Sequence, residues 1–183
     1  MKYLKIRDSF LWFLAVVGLF SSIAFLAPLF LLYMNKGPFN REKSEYASVK
    51  DVRYVLNWCG LGEERIQKVV HSYHSARSLA GDHMDAFAIQ VTRLDISELS
   101  KLSRSGDVVW YRGDKLNELA GQAVSFTRGW VEAPWLPLGD ALRTKDYYVY
   151  PHSVLFYGPR VISAQLIYVR PADRMVFFFD GKT

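Results

Sequence analysis

Residues 10–34 form the longest apolar run in the chain and contain no charged side chain. As a helix, this run would be about 37 Å long, which exceeds the roughly 30 Å hydrocarbon core of a bilayer. Trp12 and Tyr33 lie near its two ends, where amphipathic aromatic rings favour the headgroup region. The pattern predicts one transmembrane helix over this run, preceded by a short tail over residues 1–9.

A cleaved signal peptide is the competing interpretation of this segment. Its apolar part would cover about 7–15 residues and end at a small-residue cleavage site. The observed run is longer, Ala24 and Ala27 have the wrong spacing, and Pro28 would directly follow the cleaved bond. We therefore expect an uncleaved signal-anchor. Since no later apolar run is long enough to cross, we expect a single-pass protein.

The composition changes after the apolar run. Residues 35–49 are polar, with glycine, proline and mixed charges, and are predicted to be a juxtamembrane linker. Residues 50–183 are predicted to form one soluble domain. Within this domain, spacing and capping residues predict helices at 51–58, 63–73, 95–103 and 115–126, the third and fourth capped by Asp95 and Asp114.

Alternating or β-branched apolar segments predict the strands. They cover residues 85–94, 107–112, 160–170 and 175–179, whereas residues 134–150 have an irregular pattern. The turn-forming residues 171–174 separate the last two strands and predict an antiparallel hairpin. Helices mixed with antiparallel strands, without a regular βαβ order, indicate an α+β fold. We expect a small antiparallel sheet with its flanking helices on one face.

The excess positive charge is concentrated beside the predicted anchor. Of a net charge of +5, residues 1–36 contribute four basic and one acidic side chain, and residues 37–183 contribute 19 basic and 17 acidic ones. Basic residues that flank an apolar run are typical of membrane segments, so the charge does not indicate a nucleic-acid partner. The single cysteine, Cys59, excludes an intramolecular disulfide and is interpreted as a small buried residue.

The basic flanks of the run give a weak indication of orientation. Three Lys or Arg side chains lie on each side, namely Lys2, Lys5, Arg7, Lys36, Arg41 and Lys43. The N-terminal amine and the closer spacing of the first three favour a cytoplasmic N-terminus. We expect the C-terminal domain to lie outside the cytoplasm, in the periplasm if the cell is bacterial.

One short segment is rich in residue types that bind metal ions. Five of them occur within fifteen residues: His71, His74, Asp82, His83 and Asp85. Imidazole and carboxylate groups are zinc ligands, so this cluster suggests a metal-assisted hydrolase as the alternative function. No HExxH motif or cysteine pair supports it, and an exposed helix end followed by a turn would have the same composition. We expect no cofactor.

Aromatic residues near the irregular segment are candidates for partner contact. They are Trp130, Trp135, Tyr147 and Tyr148. Tryptophan is favoured at interfaces, although the same rings would equally serve as core. No nucleotide-binding or hydrolase motif occurs in the chain.

These observations predict a membrane-anchored, non-enzymatic interaction module. An accessory subunit of a membrane complex and an immunity-type protein both suit this architecture. The expected partners are the lipid bilayer and a protein, with no nucleic acid. Gly18 and Ser22 have the small-xxx-small spacing that would allow anchors to associate, which leaves self-association open.

Overall fold

The computed structural model describes residues 47–78, 81–106, 108–130 and 132–183, together with residues 12, 16–18, 20–22, 24, 26 and 27. The chain divides into two units, Met1–Arg41 and Glu42–Thr183. In the first unit the described residues are helical and exposed, and the Ser22 hydroxyl donates a hydrogen bond to the Gly18 carbonyl at 2.9 Å.

Most of the N-terminal predictions concern residues outside the described part of the chain. The tail over 1–9, most of the span over 10–34 and nearly all of the linker over 35–49 lie outside the described residues. Among the helices of the described part of the chain, none has both the length and the apolar character that a bilayer crossing requires.

Six antiparallel strands form one sheet in the second unit. They are β1 (Ile66–His74), β2 (His83–Val91), β3 (Tyr111–Arg112), β4 (Tyr148–Tyr157), β5 (Arg160–Arg170) and β6 (Met175–Lys182). Their order across the sheet is β1-β2-β6-β5-β4-β3. The α+β class, the antiparallel sheet and the predicted C-terminal hairpin of β5 and β6 are confirmed.

Helices cover both faces of the sheet, and the expectation of helices on one face is wrong. The α-helices described in the second unit are α1 (Val49–Trp58), α2 (Ile96–Ser105) and α3 (Glu118–Phe126). α1 and α2 pack on one face through residues such as Val55 and Leu99. α3 packs on the other face together with the irregular segment that follows it.

The strand β6 shows why two covering layers are needed. Its apolar residues are continuous, so successive side chains point to opposite faces. Phe178 belongs to the core beneath α1 and α2, whereas Phe177 and Phe179 belong to the core beneath α3. A strand with apolar side chains on both faces must be covered on both.

The predicted helix over 63–73 is wrong, because this segment is a short 3-10 turn, Glu63–Arg65, followed by the edge strand β1. The pairing of β1 with β2 has register shifts between Ile66 and Lys68 and between Val69 and His71. Each bulge displaces the two-residue alternation of side chains. The apolar positions of β1 are therefore spaced as they would be on a helix.

The predicted cap of α2 is confirmed, and the predicted cap of α3 is wrong. At α2 the Asp95 side chain accepts a hydrogen bond from the Ser97 amide at 2.8 Å, and Glu98 pairs with Arg65. α3 begins later than predicted, because Asn117 is its cap. Asp114 lies in the preceding 3-10 turn and pairs with Arg112.

Candidate functional site

A row of polar side chains crosses the sheet at one end of the face that α1 and α2 partly cover. In the strand register, His74 of β1 lies opposite Asp85 of β2, which lies opposite Asp180 of β6. Asp180 in turn lies opposite Gln165 of β5. The neighbouring row on the same face, Ser72, Phe87, Phe178 and Ile167, is largely apolar. The face therefore changes from core to polar surface within one row.

Each carboxylate in this row accepts a hydrogen bond from an outer partner. The Asp85 Oδ1 atom lies 3.0 Å from His74 Nδ1, and its Oδ2 atom lies 3.4 Å from a guanidinium nitrogen of the exposed Arg77. The Gln165 amide donates to Asp180 Oδ2 at 3.1 Å. Both aspartates are mostly buried, with 17% and 19% of their side chains exposed.

His83 adds an imidazole to the two carboxylates. It begins β2 two residues before Asp85, so both side chains lie on the same face. Its Nδ1 atom lies 2.8 Å from the Gly81 carbonyl oxygen, and its Nε2 atom lies 3.7 Å from Asp180 Oδ2. One ligand atom from each of His83, Asp85 and Asp180 lies within 4.8 Å of the others. We call these three residues the β2–β6 triad.

The charges of the triad also contribute to a raised pKa of Tyr54, which lies on the covering helix α1. Burial, first of all, raises the pKa of Tyr54 on α1 to about 12, and the negative charges of Asp85 and Asp180 add to the rise. Tyr54 packs edge-on against Trp58 and Phe178. The raised pKa keeps the Tyr54 hydroxyl protonated well above neutral pH.

The structure brings only part of the predicted metal cluster together. His83 and Asp85 belong to the triad, and His74 contacts it through Asp85. His71 lies elsewhere, because its ring stacks on Trp135 at 5.1 Å between centroids. Asp82 lies in the β1–β2 connection, where its backbone exchanges hydrogen bonds with Ser78. Asp82 and His71 are not members of the triad.

Sequence reasoning missed Asp180. The predicted strand over 175–179 ends one residue before it, because a polar residue followed by glycine resembles a turn. In the structure β6 continues to Lys182. The alternation of side chains along an extended strand could have identified this residue, because Val176, Phe178 and Asp180 then share one face.

The four aromatic candidates contribute to packing. Trp130 packs against Phe126 and Phe179, and Trp135 packs against His71. Tyr147 is buried, and its hydroxyl accepts a hydrogen bond from Arg170 at 2.8 Å. Tyr148 is half-buried against the core beneath α1 and α2. Their proposed role in partner contact stays a prediction.

A different apolar surface is exposed at the outer edge of β4. β3 pairs only with Tyr148 and Val149, and within the described residues no other strand pairs with this edge. At the end of β4, Leu155, Phe156 and Tyr157 are 55%, 40% and 79% exposed. We call residues 153–157 the β4 edge segment. Its sequence, SVLFY, contains no charge.

Comparison of the chain with protein-family models, curated proteins and solved structures finds no match. The functional argument therefore depends on the geometry of these two sites.

Proposed function

We propose that the chain is a membrane-anchored, non-enzymatic binding module. In this proposal the domain lies outside the cytoplasm and contacts a protein partner through the β4 edge segment. The observation that supports this contact is an unpaired strand edge that also exposes three large apolar side chains. An accessory subunit of a membrane complex and an immunity-type protein both fit such a module.

The exposed strand edge favours a partner that contributes an extended segment. Unpaired amide and carbonyl groups of an edge strand accept a further strand, and alternate side chains then give specificity. Proteins usually protect such edges with charges, prolines or bulges. In β4, Pro151 and register shifts between Pro151 and Ser153 and between Leu155 and Phe156 interrupt the edge, but no charged side chain protects residues 153–157. Because the β4 edge segment is uncharged and apolar, we expect its partner strand to be uncharged and apolar as well.

The amino-acid sequence of the predicted anchor is the support for the membrane location in this proposal. The uncharged run over 10–34 has the length of a bilayer crossing, and basic residues flank it. We expect the full chain to stay with membranes after alkaline carbonate extraction, and a variant without residues 1–36 to be released. Added protease should digest the domain from the extracytoplasmic side only. Release of the full chain by carbonate would contradict the anchor.

Site-specific photo-crosslinking in cells tests the contact. A photoreactive amino acid at position 155 of the full chain should form an adduct with a second protein. The same amino acid at Leu119, an exposed apolar position on α3, should not. In the position-155 protein, Tyr157→Lys should abolish the adduct, because a charged residue on an edge opposes strand addition.

The other results would overturn this proposal. Equal adducts at positions 155 and 119 would show non-specific proximity, and no adduct at position 155 would remove the contact. An adduct of twice the chain's mass would identify the partner as a second copy of this chain, and would overturn a contact with a different protein.

A metal-assisted hydrolase is the second candidate, and the β2–β6 triad favours it. Catalytic zinc sites use three protein ligands and leave a position open for water. Hydrolysis of a chromogenic phosphate ester by the zinc-loaded full chain, lost in Asp180→Asn, would support this candidate. Equal rates for the two proteins would remove it.

A further inference from the structure

We infer that His83, Asp85 and Asp180 bind one divalent transition-metal ion of the zinc type. These side chains come from two neighbouring strands, share one face of the sheet and converge within 4.8 Å. Metal binding goes beyond the partner contact at β4, and neither depends on the other.

The tautomer of His83 is the first argument. A carbonyl oxygen only accepts hydrogen bonds, so the Nδ1 atom that lies 2.8 Å from the Gly81 oxygen carries the hydrogen. In the neutral ring, Nε2 then presents a lone pair. Its neighbour at 3.7 Å is Asp180 Oδ2, which is also an acceptor. A metal ion between these two atoms would make their approach favourable.

A proton on Nε2 is the competing explanation. A direct N–H···O bond would bring the two atoms to about 2.7–3.2 Å, which is shorter than the observed 3.7 Å. A tetrahedral zinc ion with bonds of about 2.0–2.1 Å places its ligand atoms about 3.4 Å apart. The His83–Asp180 separation is longer than a direct hydrogen bond and is compatible with two ligands of one metal ion.

The two carboxylates provide the second argument. Asp85 and Asp180 lie directly opposite each other in the β2–β6 pair, and like charges in this relation are destabilising. Two cationic side chains are close, but both are exposed: Arg77 contacts Asp85 at 3.4 Å, and the amino group of Lys182 lies near Gly81. A divalent ion between the carboxylates would neutralise both directly.

The partners outside the triad provide the third argument. Ligands of protein-bound metals are usually oriented by a further hydrogen bond. Here His83 donates to the Gly81 carbonyl, His74 contacts Asp85, and the Gln165 amide donates to Asp180. All three triad residues therefore have an outer partner that leaves another ligand atom or lone pair free.

The donor set indicates the class of metal ion. One imidazole with two carboxylates suits zinc, manganese, iron or cobalt, whereas magnesium and calcium prefer oxygen ligands alone. Three protein ligands leave at least one position for water. The side chains of the triad are 12–19% exposed, which gives water access to that position.

Zinc titration of the full chain tests this inference. The protein, purified in detergent without a polyhistidine tag and stripped with a chelator, should bind one Zn²⁺ per chain in competition with a chromogenic chelator. His83→Gln and Asp180→Asn should each weaken binding at least about tenfold. The matched controls, His71→Gln and Asp82→Asn, should bind as tightly as the unchanged chain, because neither residue belongs to the triad.

Two further measurements keep the result clear if a variant folds poorly. Zn²⁺ should raise the thermal unfolding midpoint of the unchanged chain, and Mg²⁺ at the same concentration should not. Co²⁺ should give visible absorption bands that His83→Gln alters. Absence of stoichiometric zinc, or equal weakening in the His71 and Asp82 controls, would overturn the site.

Discussion

Arg65 and Glu98 form a bidentate ion pair that joins the 3-10 turn before β1 to α2. The two guanidinium nitrogens donate to the two carboxylate oxygens at 2.6 and 2.5 Å. The Arg65 side chain is only 9% exposed. Paired hydrogen bonds of this geometry are stronger than bonds between neutral groups. The contact fixes one end of α2 against the edge of the sheet.

Removing the charge of Glu98 should destabilise the domain. The hydrogen bonds from Arg65 hold the pKa of Glu98 below its ordinary value of 4.5. A lowered pKa in the folded state means that the pair stabilises the protein above about pH 4.5. This contribution is lost as the pH falls through the folded value. Glu98→Gln should cost about 1–3 kcal/mol at pH 7, and much less at pH 3.

Urea unfolding of the full chain at the two pH values, followed by tryptophan fluorescence, measures this difference. Glu118→Gln is the matched control, because Glu118 is exposed and its hydrogen bond from Gln122 is long, at 3.3 Å. This control should change the free energy of unfolding by less than about 0.5 kcal/mol. A Glu98→Gln penalty that is the same at both pH values would contradict the assigned role.

Two glycines, Gly113 and Gly121, should respond in opposite ways to substitution by alanine. A Cβ atom at Gly113 would overlap the backbone carbonyl oxygens of Leu142 and Thr144. Backbone atoms cannot yield as a flexible side chain can, and the Gly113 amide also bonds to the Tyr147 carbonyl at 2.8 Å. Gly113→Ala should therefore cost about 3 kcal/mol or more.

The comparison position is Gly121, inside α3. A Cβ atom there would have its nearest neighbour, an Arg143 guanidinium nitrogen, at 3.8 Å. Alanine also has the higher helix propensity, so Gly121→Ala should stabilise the domain by about 0.5–1 kcal/mol. Thermal unfolding midpoints of the two variants measure both effects. A Gly113→Ala protein as stable as the unchanged chain would show that Gly113 does not lie this close to the Leu142 and Thr144 carbonyl oxygens.

The sequence was sufficient for the parts of the fold whose side-chain pattern is regular. β2, β5 and β6 have strong apolar patterns, and the four-residue turn between β5 and β6 identifies the hairpin. β1 could not be predicted, because its bulges convert a strand pattern into a helical one. The unbroken apolar run of β6 was a signal for helices on both faces. It was not sufficient by itself, because the run does not show which elements cover each face of the strand.

The candidate site was predicted only in part, for a physical reason. His83 and Asp85 are close in sequence, so a local search finds them. Asp180 is brought to them by the pairing of β2 with β6, which joins residues about a hundred positions apart. Local spacing also grouped His71 with His74, although the strand directs His71 toward Trp135 and His74 toward Asp85.

The thiol of Cys59 should be unreactive in the folded chain. Cys59 has no exposed surface, and its thiol donates a weak hydrogen bond to the Leu56 carbonyl at 3.4 Å. Burial raises the pKa of this thiol to about 12, so almost no thiolate is present at pH 8. Since the thiolate is the reactive form, a disulfide reagent should react at least about a hundredfold more slowly than in urea. Ser97→Cys, combined with Cys59→Ala, supplies an exposed thiol on α2 as the control, and it should react rapidly in both conditions. Rapid reaction of Cys59 in the folded chain would show that the core beneath α1 opens readily, and would contradict the packing of α1 on the sheet.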